Sequence, residues 1–409
     1  MLDAMLLPRL YADLAEPTRS DSGQGANVVR FFLAISCLLA AVCHSAAGAQ
    51  TAYETDASHS VIMDYETGEI LFSRNGDEPM PPASMSKMMT VLMTLEAIES
   101  GSLSLDDELP VSEDAWRRGG AASGSSTMFL EVNSRARVED LLRGVIVQSG
   151  NDACIVLAEA IAGSESAFSD MMTERAHELG LASANFTNST GWPDPGHVIS
   201  AADLAELARI LIRDHPEFYG IWAEREFTYN GIRQSNRNPL LGVFSGADGL
   251  KTGHTEDSGY GLVGSAERDG VRRIIVFNGL DSNAARAAEA ERMMRAALSD
   301  YDVYNLFAAG DDVGHRAEVF MGEAGSVALR VDTDITAGLH RRARRDLSVT
   351  VNYDGPVPAP IAEGDVIGTL RVEAPGYEAR EYPLLASEPV AKKGLMGRIG
   401  AVIAHMLRG

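Results

Sequence analysis

Between Thr51 and Ala308 the spacing of apolar positions switches repeatedly between a period of two and a helical period. HSVIMDYETGEILFSRN has two apolar runs either side of the turn-forming ETGE, which predicts a hairpin. SMSKMMTVLMTLEAIESG predicts a helix ended by Gly101, with its apolar side at Met88, Leu92, Leu95 and Ile98. RVEDLLRGVIVQSGNDACIVLAEAIAG predicts two helices broken at QSGN. SAADLAELARILIRDHP predicts another, capped by Ser200 and stopped before Pro216. GYGLVGSAERDGVRRIIVFNG reads as two strands joined by RDG, and ARAAEAERMMRAALSDYDVYNLF as one long closing helix. Helices mixed with hairpin-linked strands predict an α+β fold, a helical cluster on an antiparallel sheet.

After AAGDD the pattern changes. Residues 313–385 carry short alternating runs (AEVFMG, VALRV, LSVTVNY, DVIGTLRV) separated by Gly, Pro and Asp, the pattern of a small all-β domain. No internal repeat or low-complexity segment is visible. The expected organisation is an N-terminal extension with signal peptide over 1–49 and a catalytic domain over 50–308. A β-rich domain over 309–388 and an amphipathic helix over 389–409 follow.

The two ends are read apart from the fold. Arg30, the apolar run Phe31–Val42 and Ala47-Gly48-Ala49 form a secretory signal with cleavage expected after Ala49. Acids ahead of the signal favour a start codon downstream of Met1; lipid attachment at Cys43 is a minor alternative, Val42 being a poor neighbour for it. At the other end, Leu395, Met396, Ile399, Val402, Ile403 and Met406 share one helical face, with Lys393, Arg398 and Arg408 opposite. A basic amphipathic helix on so acidic a chain predicts an interfacial anchor for an anionic membrane surface through residues 392–408, the alternative being a helix docked on the domain.

Composition narrows the classes. With 409 residues and 45% apolar content, two domains with real cores are expected, and no internal apolar run approaches a membrane span. A net charge of -23 argues against a nucleic-acid partner. Beyond the signal only Cys154 remains, in the apolar context ACIVLAEAIA, so no internal disulfide and a buried thiol are expected. The nine histidines show no ligand spacing, so no metal is expected. HRRARR at 340–345 could meet an anionic partner, but a solvated loop is the simpler account.

Lysine usage points to chemistry. There are 31 arginines but only four lysines, and Lys87 and Lys251 are the two that precede the tail. Lysine can act as a base once burial lowers its pKa; arginine does not deprotonate in proteins. Ser84 and Lys87, three apart at a helix start, would place a hydroxyl beside that base. Ser149-Gly150-Asn151 offers a proton-relaying hydroxyl and a carbonyl-binding amide. In GLKTGHT, Lys251 supplies a compact charge, Thr252 a carboxylate donor, and Gly253 room for a substrate strand at the sheet edge. Singly, these read as an exposed helix lysine, a helix cap and an ordinary turn; S-x-x-K, S-x-N and K-T-G in this order point to a penicillin-recognising serine enzyme.

On PPASMSKMMT, VQSGNDA, GWPDPGH, GADGLKTGHT and the tail layout, residues 52–409 resemble the low-molecular-mass penicillin-binding proteins, the D-alanyl-D-alanine carboxypeptidases. The resemblance implies a β-lactamase/penicillin-binding-protein-like catalytic domain followed by a small β domain, and no cofactor. It implies Ser84 as the acylated nucleophile, Lys87 as its base, Ser149 as proton shuttle and Asn151 orienting the peptide. Lys251 and Thr252 would hold the terminal carboxylate, with Gly253 and His254 lining the strand, and the Ser84 and His254 amides would form the oxyanion hole. Arg286 in ARAAEA would also face the carboxylate, although GLDSNAAR departs from the family's wording and reads one residue longer.

Two enzymes share these motifs. A β-lactamase adds a loop Glu to activate water, and NFTNSTGWPDPGHVIS contains none; a D,D-endopeptidase usually lacks the β domain. A non-catalytic peptidoglycan- or penicillin-binding module is the reading from another class, disfavoured by the intact Ser84/Lys87 pair. The expectation is an exported serine D,D-carboxypeptidase on the periplasmic face of the cytoplasmic membrane. It would cut stem peptides ending in D-Ala-D-Ala and be inhibited covalently by β-lactams.

Overall fold

The computed structural model describes residues 53–394; the signal segment and most of the terminal amphipathic stretch lie outside the described residues. Five strands form the main sheet: β1 (His59–Asp64), β2 (Ile70–Arg74), β3 (Ala247–Thr255), β4 (Gly259–Arg268) and β5 (Val271–Leu280). Their order is β2-β1-β5-β4-β3, every pair antiparallel, so β3 is an edge strand. Period-two alternation sends Val61, Val263 and Val276 to one face and Ile62, Leu262 and Phe277 to the other, all fully buried.

The first face carries the helices α1 (Lys87–Glu99), α2 (Val138–Ile146), α3 (Asn151–Ala162), α4 (Glu165–Glu178) and α5 (Ala201–Asp214). The second is covered by α6 (Asn283–Ser299), through Ala290, Met293, Met294 and Ala297. Expected and observed elements differ in three places. Helix α1 has no single apolar side: every residue from Lys87 to Leu95 is buried, because the sheet and the other helices surround it. Helix α4 was not read from the sequence, although Phe168, Met172 and Ala176 repeat at four residues and Ser164 caps it by accepting from the Ala167 N–H.

The closing helix also stops at Ser299, and Tyr301–Phe307 is instead strand β6. Its residues alternate: Tyr301 and Val303 pack with α6, while Tyr304 and Leu306 pack into the all-β layer. That layer contains β7 (Asp312–Phe320), β8 (Ser326–Arg330), β9 (Ile335–His340), β10 (Ser348–Tyr353), β11 (Val366–Ala374) and β12 (Tyr377–Ala386). β6 pairs with β9, and the larger sheet runs β10-β11-β12-β8-β7 with the short Val357–Pro358 strand beyond. The C-terminal region is therefore all-β, as the sequence predicts. It is tied to the main sheet by the Arg380–Glu69 ion pair at 2.9 Å.

Among the described residues no helix is long and apolar enough to cross a membrane. Cys154 is fully buried, and burial pushes its thiol up to about 12, which leaves it protonated and unreactive.

Candidate active site

A 3-10 turn, Ala83–Ser86, leads into α1 and presents Ser84 half-buried at its mouth. Ala83 sits at φ +48°, which costs an L-residue on the order of 1 kcal/mol. Packing holds it there. Ser86 Oγ donates to the Ala83 carbonyl at 3.0 Å, and Gly191 comes so close that a Cβ would lie 2.0 Å from that carbonyl oxygen. Lys87, fully buried, brings Nζ to 2.9 Å from Ser84 Oγ and donates to the Thr190 carbonyl. Burial pushes its pKa down to about 8; Cys154 opposes this and the charge of Arg237 reinforces it.

The Thr190 carbonyl is itself fixed. Asn188 Oδ1 accepts from the N–H groups of Thr190, Gly191 and Trp192 and from Thr190 Oγ1, at 2.8–3.1 Å. His197 closes the same loop: Nδ1 accepts from the Thr187 N–H at 3.1 Å, and burial, then the Lys87 charge, push it down to about 4. Asn188 and the GWPDPGH stretch thus hold in place the loop whose Thr190 carbonyl meets Lys87.

Ser149 lies between α2 and α3 at φ +59°, almost completely buried. Lys251 Nζ is 2.9 Å from Ser149 Oγ and donates to the Thr252 carbonyl at 3.2 Å. Burial, followed by the Lys87 charge, holds Lys251 well below the ordinary lysine value. Asn151, the first residue of α3, donates to Ser125 Oγ at 2.9 Å, and its buried Oδ1 has no partner among the described residues. One hydroxyl–lysine pair is thus local, three residues apart, and the other joins residues 102 apart in the sequence.

Thr252, Gly253 and His254 continue along edge strand β3, which leaves one side of the backbone unpaired by the sheet. A Cβ on Gly253 would lie 2.7 Å from the Pro82 carbonyl oxygen and 3.2 Å from the Ala83 Cβ, so its absence lets the serine turn approach β3. His254 is exposed and stacks on Tyr260 at 3.8 Å between ring centroids. Arg286, buried in the first turn of α6, donates to Asn283 Oδ1 at 2.6 Å and lies over Tyr260, with Nε unpartnered among the described residues.

Ser84, Ser149, Thr252, Gly253, His254 and Arg286 line one cavity of about 480 Å³. Lys87, Lys251 and Asn151 lie buried behind its wall. Among the described residues no group of three His, Cys, Asp or Glu could hold a metal ion. A larger cavity of about 1000 Å³ between Tyr53–Asp56 and α6 contains none of the motif residues.

Ser126, Arg237 and Tyr260 also line the site and were not foreseen from the sequence. Arg237 Nη1 donates to Ser126 Oγ at 2.6 Å and adds a second guanidinium to the cavity. Asp152, next to Asn151, holds this wall. Its carboxylate accepts from Thr127 Oγ1 and from the N–H groups of Met128, Leu130 and Ala153 at 2.6–3.0 Å. An acid one residue inside a helix start was the available signal.

A family model described as D-alanyl-D-alanine carboxypeptidase matches residues 45–281. The chain belongs to the D-alanyl-D-alanine carboxypeptidase family. A second model, the penicillin-binding protein 5 C-terminal domain, matches residues 301–392. D-alanyl-D-alanine carboxypeptidase DacC of Escherichia coli is 36% identical over 347 residues, 84% of this chain and 86% of that protein. Among solved structures, the carboxypeptidase DacD of Francisella tularensis has 31% identity and a TM-score of 0.74, covering 83% of this chain and 95% of that one. Penicillin-binding protein D2 of Listeria monocytogenes, in an ampicillin-bound form, has 30% identity and a TM-score of 0.53, covering 61% and 100%. The chain is accordingly a serine-type carboxypeptidase, a hydrolase of peptidoglycan peptides.

Proposed function

We propose that this carboxypeptidase removes the terminal D-alanine of stem peptides ending in D-Ala-D-Ala through an acyl-enzyme on Ser84. The observation that carries the reading is Lys87 Nζ, fully buried with its pKa near 8, at 2.9 Å from Ser84 Oγ. A neutral amine at that place takes the Ser84 proton as Oγ bonds to the penultimate carbonyl carbon. The Ser84 and His254 amides hold the developing oxyanion, and Asn151 orients the peptide. Ser149, beside Lys251, passes a proton to the departing amine as the peptide bond breaks. Lys251, Thr252, Arg286 and Arg237 gather positive charge and donors for the terminal carboxylate. Water then cleaves the Ser84 ester.

β-Lactams mimic the acylating peptide, so intact-mass spectra of the purified chain after adding benzylpenicillin test the mechanism. A penicilloyl adduct on Ser84 lasting minutes or longer is expected. Rapid consumption of the drug without a lasting adduct would mean a β-lactamase, and neither adduct nor consumption would mean a binding module.

For location, the reading is export by the N-terminal signal and peripheral attachment to the outer face of the cytoplasmic membrane through residues 392–408. Support comes from the sequence: an apolar helical face with Lys393, Arg398 and Arg408 opposite, in a chain of net charge -23. Truncation after Val390 should move the protein from membrane pellet to supernatant in fractionated cells. Continued pelleting would refute the tail as anchor.

A further inference from the structure

Lys251 meets Ser149 only if β3 keeps its register against β4, and that register contains an irregularity. From Gly249 to Thr255 the pairing is regular, with Lys251 opposite Val263, but between Ala247 and Gly249 it shifts by one residue. Asp248 is the extra residue of this β-bulge. A bulge fixes which face each following side chain takes, and a one-residue slip would exchange the faces. Lys251 shares the face of Val263, toward the helical cluster that holds Ser149; a slip would turn it to the face of Leu262.

The bulge is clamped. Tyr219 Oη donates to Asp248 Oδ1 at 2.8 Å, and Arg272 of β5 meets both carboxylate oxygens, at 2.9 and 2.8 Å. Arg272 thereby reaches from β5 across β4 to β3, donating also to Ser265 Oγ at 2.7 Å and to Glu267 at 2.8 Å. Its guanidinium lies between the Tyr65 and Tyr219 rings, 5.7 and 5.4 Å from their centroids. Tyr219 closes over the bulge so tightly that a Cβ on Gly249 would lie 2.7 Å from its hydroxyl oxygen.

We propose that Asp248, held by Tyr219 and Arg272, is a positioning residue: it locks the bulge that aims Lys251 at Ser149. The inference rests on the proposed Ser84 acylation as the reaction being served. A bidentate Arg–carboxylate pair fixes direction as well as distance, which a strand at a sheet edge otherwise lacks. Displacing a catalytic group by about 1 Å costs about 100-fold in rate.

The test is a double-mutant cycle on the rate of Ser84 acylation by benzylpenicillin, read by intact mass. Asp248→Ala should slow acylation about 100-fold. In a Lys251→Ala background the same change should alter the rate by less than about 3-fold, since the clamp acts through Lys251. Tyr219→Phe removes one hydroxyl and covers the case in which Asp248→Ala fails to fold. It should slow acylation about 5-fold, and again only when Lys251 is present. Equal losses in both backgrounds, or no loss in either single variant, would overturn the clamp. An unmodified wild-type chain would instead overturn the acyl-enzyme reading, so the two failures are distinguishable.

Discussion

Ser84→Ala should release no measurable D-alanine from a pentapeptide ending in D-Ala-D-Ala and take up no benzylpenicillin. Removing a serine nucleophile costs on the order of 10⁶-fold in kcat, because the remaining groups have no covalent step to assist. The fold should survive. Ser84 is half-buried on a turn whose shape is set by other residues: Ser86 bonds the Ala83 carbonyl, and Gly191 and Gly253 pack against the turn. Lys87 keeps its bond to the Thr190 carbonyl. Thermal unfolding within a few degrees of wild type, beside lost turnover, is the expected pair of results. Retained D-alanine release in a contaminant-free preparation would remove Ser84 from the mechanism.

The site was legible in the sequence where residue type alone carried the chemistry. Two lysines kept in an arginine-rich chain marked the two buried amines, and both stand 2.9 Å from a serine hydroxyl. Its geometry was not legible where long-range packing decides. Arg237 reaches Ser126 across 111 residues of sequence, from a loop with no periodic signal. Nor does K-T-G show that a Cβ at Gly253 would crowd Pro82 and Ala83, residues far away in the sequence. Likewise the period-two pattern of YDVYNLF was hidden by the strong helix before it, so strand β6 was read as helix. No residue pattern marks Asp248; only the pairing register reveals it as a bulge.

Lys87→Arg separates charge from basicity. If Lys87 acted only as a buried cation, arginine would preserve most of its effect. As a general base it must lose a proton, which a guanidinium does not do in proteins. General-base catalysis contributes about 10²- to 10⁴-fold, so acylation by benzylpenicillin should fall by that range. The pH dependence supplies an independent sign. The reactive form of Lys87 is neutral, and its pKa lies at about 8, so in the wild type the acylation rate should rise as pH increases through that value and level off above it. Lys251 is buried nearby and its charge opposes that of Lys87, so the observed midpoint belongs to the coupled pair. In Lys87→Arg the limb assigned to Lys87 should disappear and the remaining slow rate should vary little between pH 7 and 9. A variant with wild-type rate and an unchanged profile would show that Lys87 serves only as a charge, and the proton of Ser84 would then have to leave by way of Ser149 and Lys251.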